Sequence, residues 1–142
     1  MGSLRVFLDA NVLFSMAYSG KQRSRAYILV DLAKAKKINL YVSSYVVEEA
    51  KRNLEIKRPE ALEELSEILQ TCQFLPDYFE SQHQALESLP EGDRPILATA
   101  IENKMTHLLT GNIRDFKKLL GKRIAEVWIL TPKDFLHRQN VK

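Results

Sequence analysis

Four carboxylates in this 142-residue chain sit where they could work together. Asp9 closes the apolar run Leu4-Arg5-Val6-Phe7-Leu8, and Glu49 lies in an amphipathic segment. Asp93 ends the turn Pro90-Glu91-Gly92-Asp93, and Asp115 follows shortly after Leu108-Leu109-Thr110. Acids brought together repel one another and partly protonate unless a cation neutralises them. Hard divalent ions such as Mg²⁺ or Mn²⁺ prefer oxygen donors of this kind. Such an ion lowers the pKa of a water, polarises a phosphoryl oxygen and offsets the charge that develops in a displacement. The chemistry expected of the set is phosphodiester hydrolysis. Each acid also has a plain structural use. Asp9 and Asp93 could cap helices, with Pro95 suited to a first turn. Asp115 could cap the segment that follows it, and Glu48 and Glu49 could be solvated helix charges.

The four matter only if the backbone gathers them. Residues 4–8 read as a short buried parallel strand. Residues 11–18 read as a helix broken by Ser19-Gly20, and 23–37 as a second with Ala26, Leu29, Val30 and Ala33 on one face. A strand at 40–42 leads to the helix 45–57, which carries Glu49 and ends before Pro59. Residues 59–71 are helical by period, with Leu62, Leu65 and Leu69 inward. A strand at 73–75 and a short helix at 83–89 follow. The helix 95–103 leads to a strand at 107–110, a helical turn or two at 115–120, a last strand at 127–130 and a short helix after Thr131-Pro132. Strands alternating with helices predict an α/β fold, an α/β/α sandwich around a mostly parallel central sheet. In such sheets the ligand crevice lies beyond the carboxyl ends of the strands. Asp9, Thr110, Asn112 and Asp115 all fall there.

The length suits one domain, 1–142, able to bury roughly 68% of its unfolded surface. No repeat, low-complexity tract or linker divides it. Cys72 is the only cysteine, so an internal disulfide or a multi-cysteine zinc site is excluded. The N-terminal apolar run is too short for a secretory leader, and no stretch approaches the roughly 18 apolar residues of a membrane span. A soluble cytoplasmic protein is expected. The net charge of +3 permits a polyanionic partner without demanding one. Basic residues cluster at Lys21-Arg23-Arg25, Lys34-Lys36-Lys37, Lys51-Arg52, Lys57-Arg58 and Lys117-Lys118-Lys122-Arg123. Any one cluster reads first as a solvated helix face, and only their arrangement around the acids could make an RNA track. His83, His107 and His137 have no metal-ligand spacing and read as structural.

Five stretches in order resemble one family. They are Leu8-Asp9-Ala10-Asn11-Val12-Leu13-Phe14-Ser15; Ser44-Tyr45-Val46-Val47-Glu48-Glu49-Ala50 through Leu54; Asp93-Arg94-Pro95-Ile96-Leu97-Ala98-Thr99-Ala100; Leu108-Leu109-Thr110-Gly111-Asn112-Ile113-Arg114-Asp115-Phe116; and the tail Trp128-Ile129-Leu130-Thr131-Pro132-Lys133-Asp134-Phe135-Leu136. Together they are similar to the PIN domain, in its VapC-like branch of small prokaryotic ribonuclease toxins. The resemblance implies that Asp9 and Asp93 are the main metal ligands. Glu49, favoured over Glu48 by its spacing to Leu54, and Asp115 would bind through water or complete a second ion's shell. Asn11 and Thr110 would hold carboxylates or water by hydrogen bonds, with local turn bonding the alternative. Asn112 stands where many relatives carry Asp, which makes it a polar supporter and leaves the fourth acid to Asp115. Arg94 and Arg114 would reach phosphate or form surface ion pairs. A small antitoxin partner, a homodimer and an RNA substrate are implied by the same resemblance.

Two other functions compete. Asp9-Ala10-Asn11-Val12 faintly resembles the nucleophile loop of haloacid-dehalogenase-like phosphatases, but Asn11 lacks the second carboxylate and no downstream lysine motif is evident. A PIN fold with weakened metal binding could instead serve as an RNA- or partner-binding module, an option that Asn112 invites.

Overall fold

The run Val6, Phe7, Leu8 is wholly buried and shows no polar alternation, as expected of a strand covered on both faces. It forms β1 (Arg5–Leu8) of a computed structural model that describes residues 3–141. Met1 and Gly2, where the leader was sought, and Lys142 lie outside the described residues. The other strands are β2 (Asn39–Ser43), β3 (Cys72–Leu75), β4 (His107–Leu109), β5 (Arg123–Ile124) and β6 (Val127–Leu130). They form one six-stranded sheet in the order β3-β2-β1-β4-β6-β5. Every pairing is parallel except β5 with β6.

The helices are α1 (Ala10–Ser19), α2 (Ile28–Lys34), α3 (Ser44–Lys57), α4 (Leu62–Leu69), α5 (Arg94–Glu102), α6 (Ile113–Phe116) and α7 (Pro132–Arg138). The chain winds from β1 outward through β2 to β3, then returns to place β4 on the other side of β1. Parallel crossovers are right-handed, so the reversal sends α5 to the face opposite α1, α3 and α4. α1 packs on both α3 and α4, while α5 buries Pro95 through Ala100 without a break. The expected α/β/α sandwich is what forms. The carboxyl ends of β1 and β4 flank the point where the winding reverses, the place where open α/β sheets bind ligands.

Three local differences have clear causes. The edge strand β5 was not expected. It is two residues long, and its hairpin to β6 turns at Ala125 (φ 47) and Glu126 (φ 71). Tight hairpins need such positive φ values, but the residues that usually supply them are Gly, Asn and Asp, so the turn carries no sequence signal. The expected helix 23–37 opens with a 3₁₀ turn over Arg25–Tyr27 and becomes α-helical only at Ile28. The expected helix 83–89 is 3₁₀ over Gln84–Ser88, started by His83 Nδ1 accepting from Ala85 N at 3.0 Å.

Candidate metal centre at the switch point

Extending the pairings Phe7↔Tyr41, Leu8↔Leu109 and Leu109↔Leu130 by a step or two sets Ser43, Asp9, Thr110 and Thr131 in one row. The row crosses four adjacent strands at their carboxyl ends. Asp9 lies at its centre, 1% exposed. Its Oδ1 accepts from Ala10 N at 2.7 Å and so caps α1. Its Oδ2 accepts from Thr110 Oγ1 at 2.7 Å and from Asn11 Nδ2 at 3.3 Å. Capping and site duty thus fall to different oxygens of one group. Burial pushes the Asp9 carboxyl up to about 6 despite these hydrogen bonds, and the charge of Glu49 adds to the rise.

Asp93 sits at the N-cap of α5 but makes no capping bond with its side chain. Its carboxyl is pushed up to about 7, first by burial, then by a hydrogen bond with Asp115 and by the charges of Asp9, Asp115 and Glu49. Asp115 moves the other way, held down by hydrogen bonds from Asn112 and Asp93. The two carboxyls thus shift in opposite directions, Asp93 up and Asp115 down. Asp115 does not cap α6; Asn112 does, its Oδ1 accepting from Asp115 N at 3.2 Å while its Nδ2 donates to Asp115 Oδ2 at 2.9 Å. Asn112→Ala is expected to cost about 1 kcal/mol of stability through the lost cap. It should also lower turnover about 10- to 100-fold by freeing a carboxylate that its neighbour aims. Urea unfolding and a turnover assay on the same preparation check both, and unchanged turnover would remove Asn112 from the site.

Glu49 lies half-buried on α3, one residue from the exposed Glu48, and of the two its charge is the one that reaches Asp9 and Asp93. Asn11 also staples the two central loops, because its Oδ1 accepts from Gly111 N at 2.6 Å. A Cβ at position 111 would stand 3.1 Å from that oxygen, so glycine permits the close approach. Thr110 Oγ1 bonds Asp9 and also accepts from Asn112 N at 3.0 Å. The two arginines differ. Arg114 is 93% exposed in its side chain, with Nε 3.5 Å from Asp115 Oδ1. Arg94 turns away to donate Nε to Leu89 O at 3.0 Å.

Three further residues stand at the site that were not among its expected members. Tyr45 donates its hydroxyl to Gly92 O at 2.7 Å and ties α3 to the turn that presents Asp93. Burial and the charges of Glu49 and Asp93 raise its hydroxyl pKa. Asp77, beyond the end of β3, accepts from Tyr45 N at 3.1 Å. Ser43 is 1% exposed, and its Oγ has no hydrogen-bond partner. The strand-end placement that singled out Asp9 could have found it, since Ser43 ends the next strand. Ser43→Ala is expected to stabilise the metal-free protein by about 1 kcal/mol by removing a buried, unpaired hydroxyl. A higher urea midpoint at an unchanged m-value is the sign to look for; a lower midpoint would mean that the hydroxyl is bonded after all.

Among the described residues, no Lys or Arg forms an ion pair with Asp9, Glu49 or Asp93. Nor do three acid, His or Cys side chains converge there closely enough to hold an ion by themselves. The carboxylates nevertheless feel one another: after burial, the charge of Glu49 adds to the rise of Asp9, and those of Asp9, Asp115 and Glu49 to the rise of Asp93. An all-oxygen set around the buried Asp9, short of positive charge, fits a hard divalent cation. Asp9 and Asp93 would hold it, with Glu49 and Asp115 reaching it through water.

The family model of the PIN domain matches residues 5–114. The chain belongs to the PIN domain family. Its match contains all but the last of the four acids, and Asp115 follows it directly. Solved structures share the fold of this PIN domain. A chain of VapBC2 from Rickettsia felis, determined bound to a DNA fragment from their promoter, is 20% identical with a TM-score of 0.62, covering 87% of this chain and 96% of that one. PAE2754 from Pyrobaculum aerophilum is 17% identical with a TM-score of 0.65, covering 96% and 90%. A toxin–antitoxin complex from Klebsiella pneumoniae contributes a chain 23% identical with a TM-score of 0.54, covering 89% and 97%. At these identities the likeness is one of fold. Comparison with curated protein sequences finds no match.

Proposed function

We propose that this PIN domain is a metal-dependent endoribonuclease using Mg²⁺ or Mn²⁺, and that it is the toxin of a toxin–antitoxin pair. The observation that carries the nuclease reading is the group of Asp9, Glu49, Asp93 and Asp115 at the switch point of the sheet, of which Asp9, Glu49 and Asp93 have no ion-pair partner among the described residues. PIN domains are generally nucleases that use divalent ions. When bound, the ion would supply the missing positive charge and lower the pKa of a water, so that hydroxide is available at neutral pH to attack a phosphodiester. The chain's own residues do the rest. Thr110 and Asn11 hold Oδ2 of Asp9, Asn112 aims Asp115, and Tyr45 fixes the turn before Asp93 against α3. The deciding assay is cleavage of a total RNA pool with Mg²⁺, with Mn²⁺ and with EDTA. Cleavage should need the ion and fall at least about a hundredfold in Asp9→Asn and in Asp93→Asn. Unchanged cleavage in both variants would show that the acids are not the site.

The toxin role draws on neighbours of the same fold, among them VapBC from Salmonella typhimurium bound to DNA and the Klebsiella complex. It carries with it a small antitoxin, a homodimer and a cytoplasmic location. No helix among the described residues is long and apolar enough to cross a membrane. Expression should arrest growth, and a neighbouring open reading frame should relieve the arrest. Absence of both effects points to housekeeping RNA processing. The engagement of Asn112 with Asp115, in place of a further carboxylate, favours one alternative: a module that binds RNA without cutting it. Metal-independent RNA binding with no cleavage would distinguish it.

A further inference from the structure

Two clefts of opposite character open near the acidic centre, one at Asn11 and Gly111, the other at Glu91 and Arg94, which flank Asp93 in the chain. On one side a cleft of about 380 Å³ runs between α1, the loop before α2, the turn at Gly111 and the start of α7. Asn11 and Gly111 belong both to this cleft and to the site. Its charged residues are Arg23, Arg25 and Lys133, and no acid lines it. All three cations are exposed and make no ion pair among the described residues. Along α1 the cleft is edged by Asn11, Ser15 and Ser19. These recur every four residues and therefore form one stripe about 12 Å long. Ile113, 60% exposed, stands at its mouth. The cleft continues through Ser19 and Arg23 into a second, again without an acid, that is closed by Tyr18 and Arg58.

The other side is built for the opposite charge. A cleft of about 780 Å³ is lined by Glu80, Glu87, Glu91 and Glu102 against one Arg94. A polyanion leaving the metal centre in that direction meets repulsion. In the first direction it meets three unpaired cations and hydroxyl donors, the positive track along which single-strand grooves hold a backbone.

We propose that the cleft from Asn11 and Gly111 to Arg23, Arg25 and Lys133 holds the RNA backbone on one side of the acidic centre. The acid-lined cleft stays free of RNA. This rests on the ribonuclease reading and adds a direction to it. Of the five basic clusters in the sequence, it gives a binding role to the one at Arg23-Arg25. It gives none to Lys34-Lys36-Lys37, which precede the amino end of β2, away from the carboxyl ends of the strands where the acids lie.

The test is fluorescence anisotropy of a labelled single-stranded RNA oligonucleotide on the full chain, in EDTA so that nothing is cut, across a salt series. The triple variant Arg23→Gln, Arg25→Gln, Lys133→Gln is compared with Lys34→Gln, Lys36→Gln, Lys37→Gln, which makes the same charge change elsewhere. The first should lose about 10- to 100-fold in affinity near 0.1 M salt and flatten the slope of log K against log salt by about 2, from three phosphates at about 0.7 each. The second should stay within about threefold. Equal losses in both, no loss in the first, or binding of an acidic peptide in place of RNA would each overturn the proposal. If the first variant binds RNA like the parent while Asp9→Asn still abolishes metal-dependent cleavage, the groove assignment alone fails. If the parent neither binds nor cuts RNA, the nuclease reading fails with it. Thermal melts of both variants check that the substitutions, all at surface positions in the first variant, leave the fold intact.

Discussion

Asp9→Asn should make the metal-free protein more stable, by about 1–2 kcal/mol at about pH 8, in the same variant that loses cleavage. The Asp9 carboxyl rises from 3.8 to about 6 on folding. At about 1.4 kcal/mol per pH unit, keeping it ionised in the folded state costs about 3 kcal/mol. Asparagine removes that cost but fits less well. Its Oδ1 can still accept from Ala10 N, while its amide meets Asn11 Nδ2 where a carboxylate oxygen used to accept. That mismatch returns about 1–2 kcal/mol. The pH dependence follows from the direction of the shift. Below about pH 4 the carboxyl is protonated in both folded and unfolded chains, and the parent carries no penalty. The penalty grows between about pH 4 and 6 and is complete above that. The stability gap between variant and parent should therefore open as pH rises. Urea unfolding in EDTA across that range measures it; a variant less stable than the parent at about pH 8 would refute the account of Asp9.

Divalent ions should supply the same stabilisation from the other side. At about 100 times its dissociation constant an ion adds about 2.7 kcal/mol, which for a domain of this size raises the melting temperature by about 8 °C. The effect should be strong at about pH 8 and weak at about pH 5. Asp9 and Asp93 are pushed up to about 6 and about 7, so as pH falls through those values the ion must displace protons to bind. Asp9→Asn and Asp93→Asn should each remove most of the rise. Scanning calorimetry with Mg²⁺, Mn²⁺ and a monovalent salt of equal ionic strength reads the effect directly. A monovalent salt that does as well, or no rise with either ion at about pH 8, would mean that the carboxylates do not form an ion site.

The two expectations describe one compromise. The site gathers negative charge where folding alone would place none, and the cost falls on the apo protein. Ser43 fits the same pattern, as a buried hydroxyl left without a partner beside Asp9 in the strand register.

Much of this was legible in the order of residues alone. Unbroken apolar runs ending in Asp9 and Thr110 mark buried parallel strands and where their carboxyl ends lie, because a strand covered on both faces has no room for polar alternation. The alternation of strands and helices determined the class of fold, and the ordered blocks around the acids the family. Other features lay beyond its reach. The hairpin at Ala125-Glu126 takes positive φ without the residues that announce it. Whether Asp93 and Asp115 were helix caps or members of one acidic group depended on distance across the fold, which spacing along the chain does not encode. Asn112 could be read as a lost acid, and only its two bonds to Asp115 show what it does instead. The basic clusters looked alike in sequence. The fold put Arg23 and Arg25 in one cleft with Asn11 and Gly111, and Lys34, Lys36 and Lys37 before the amino end of β2. A residue's chemistry is local, but the field it feels and the side of the site it faces are set by chain reversals tens of residues away.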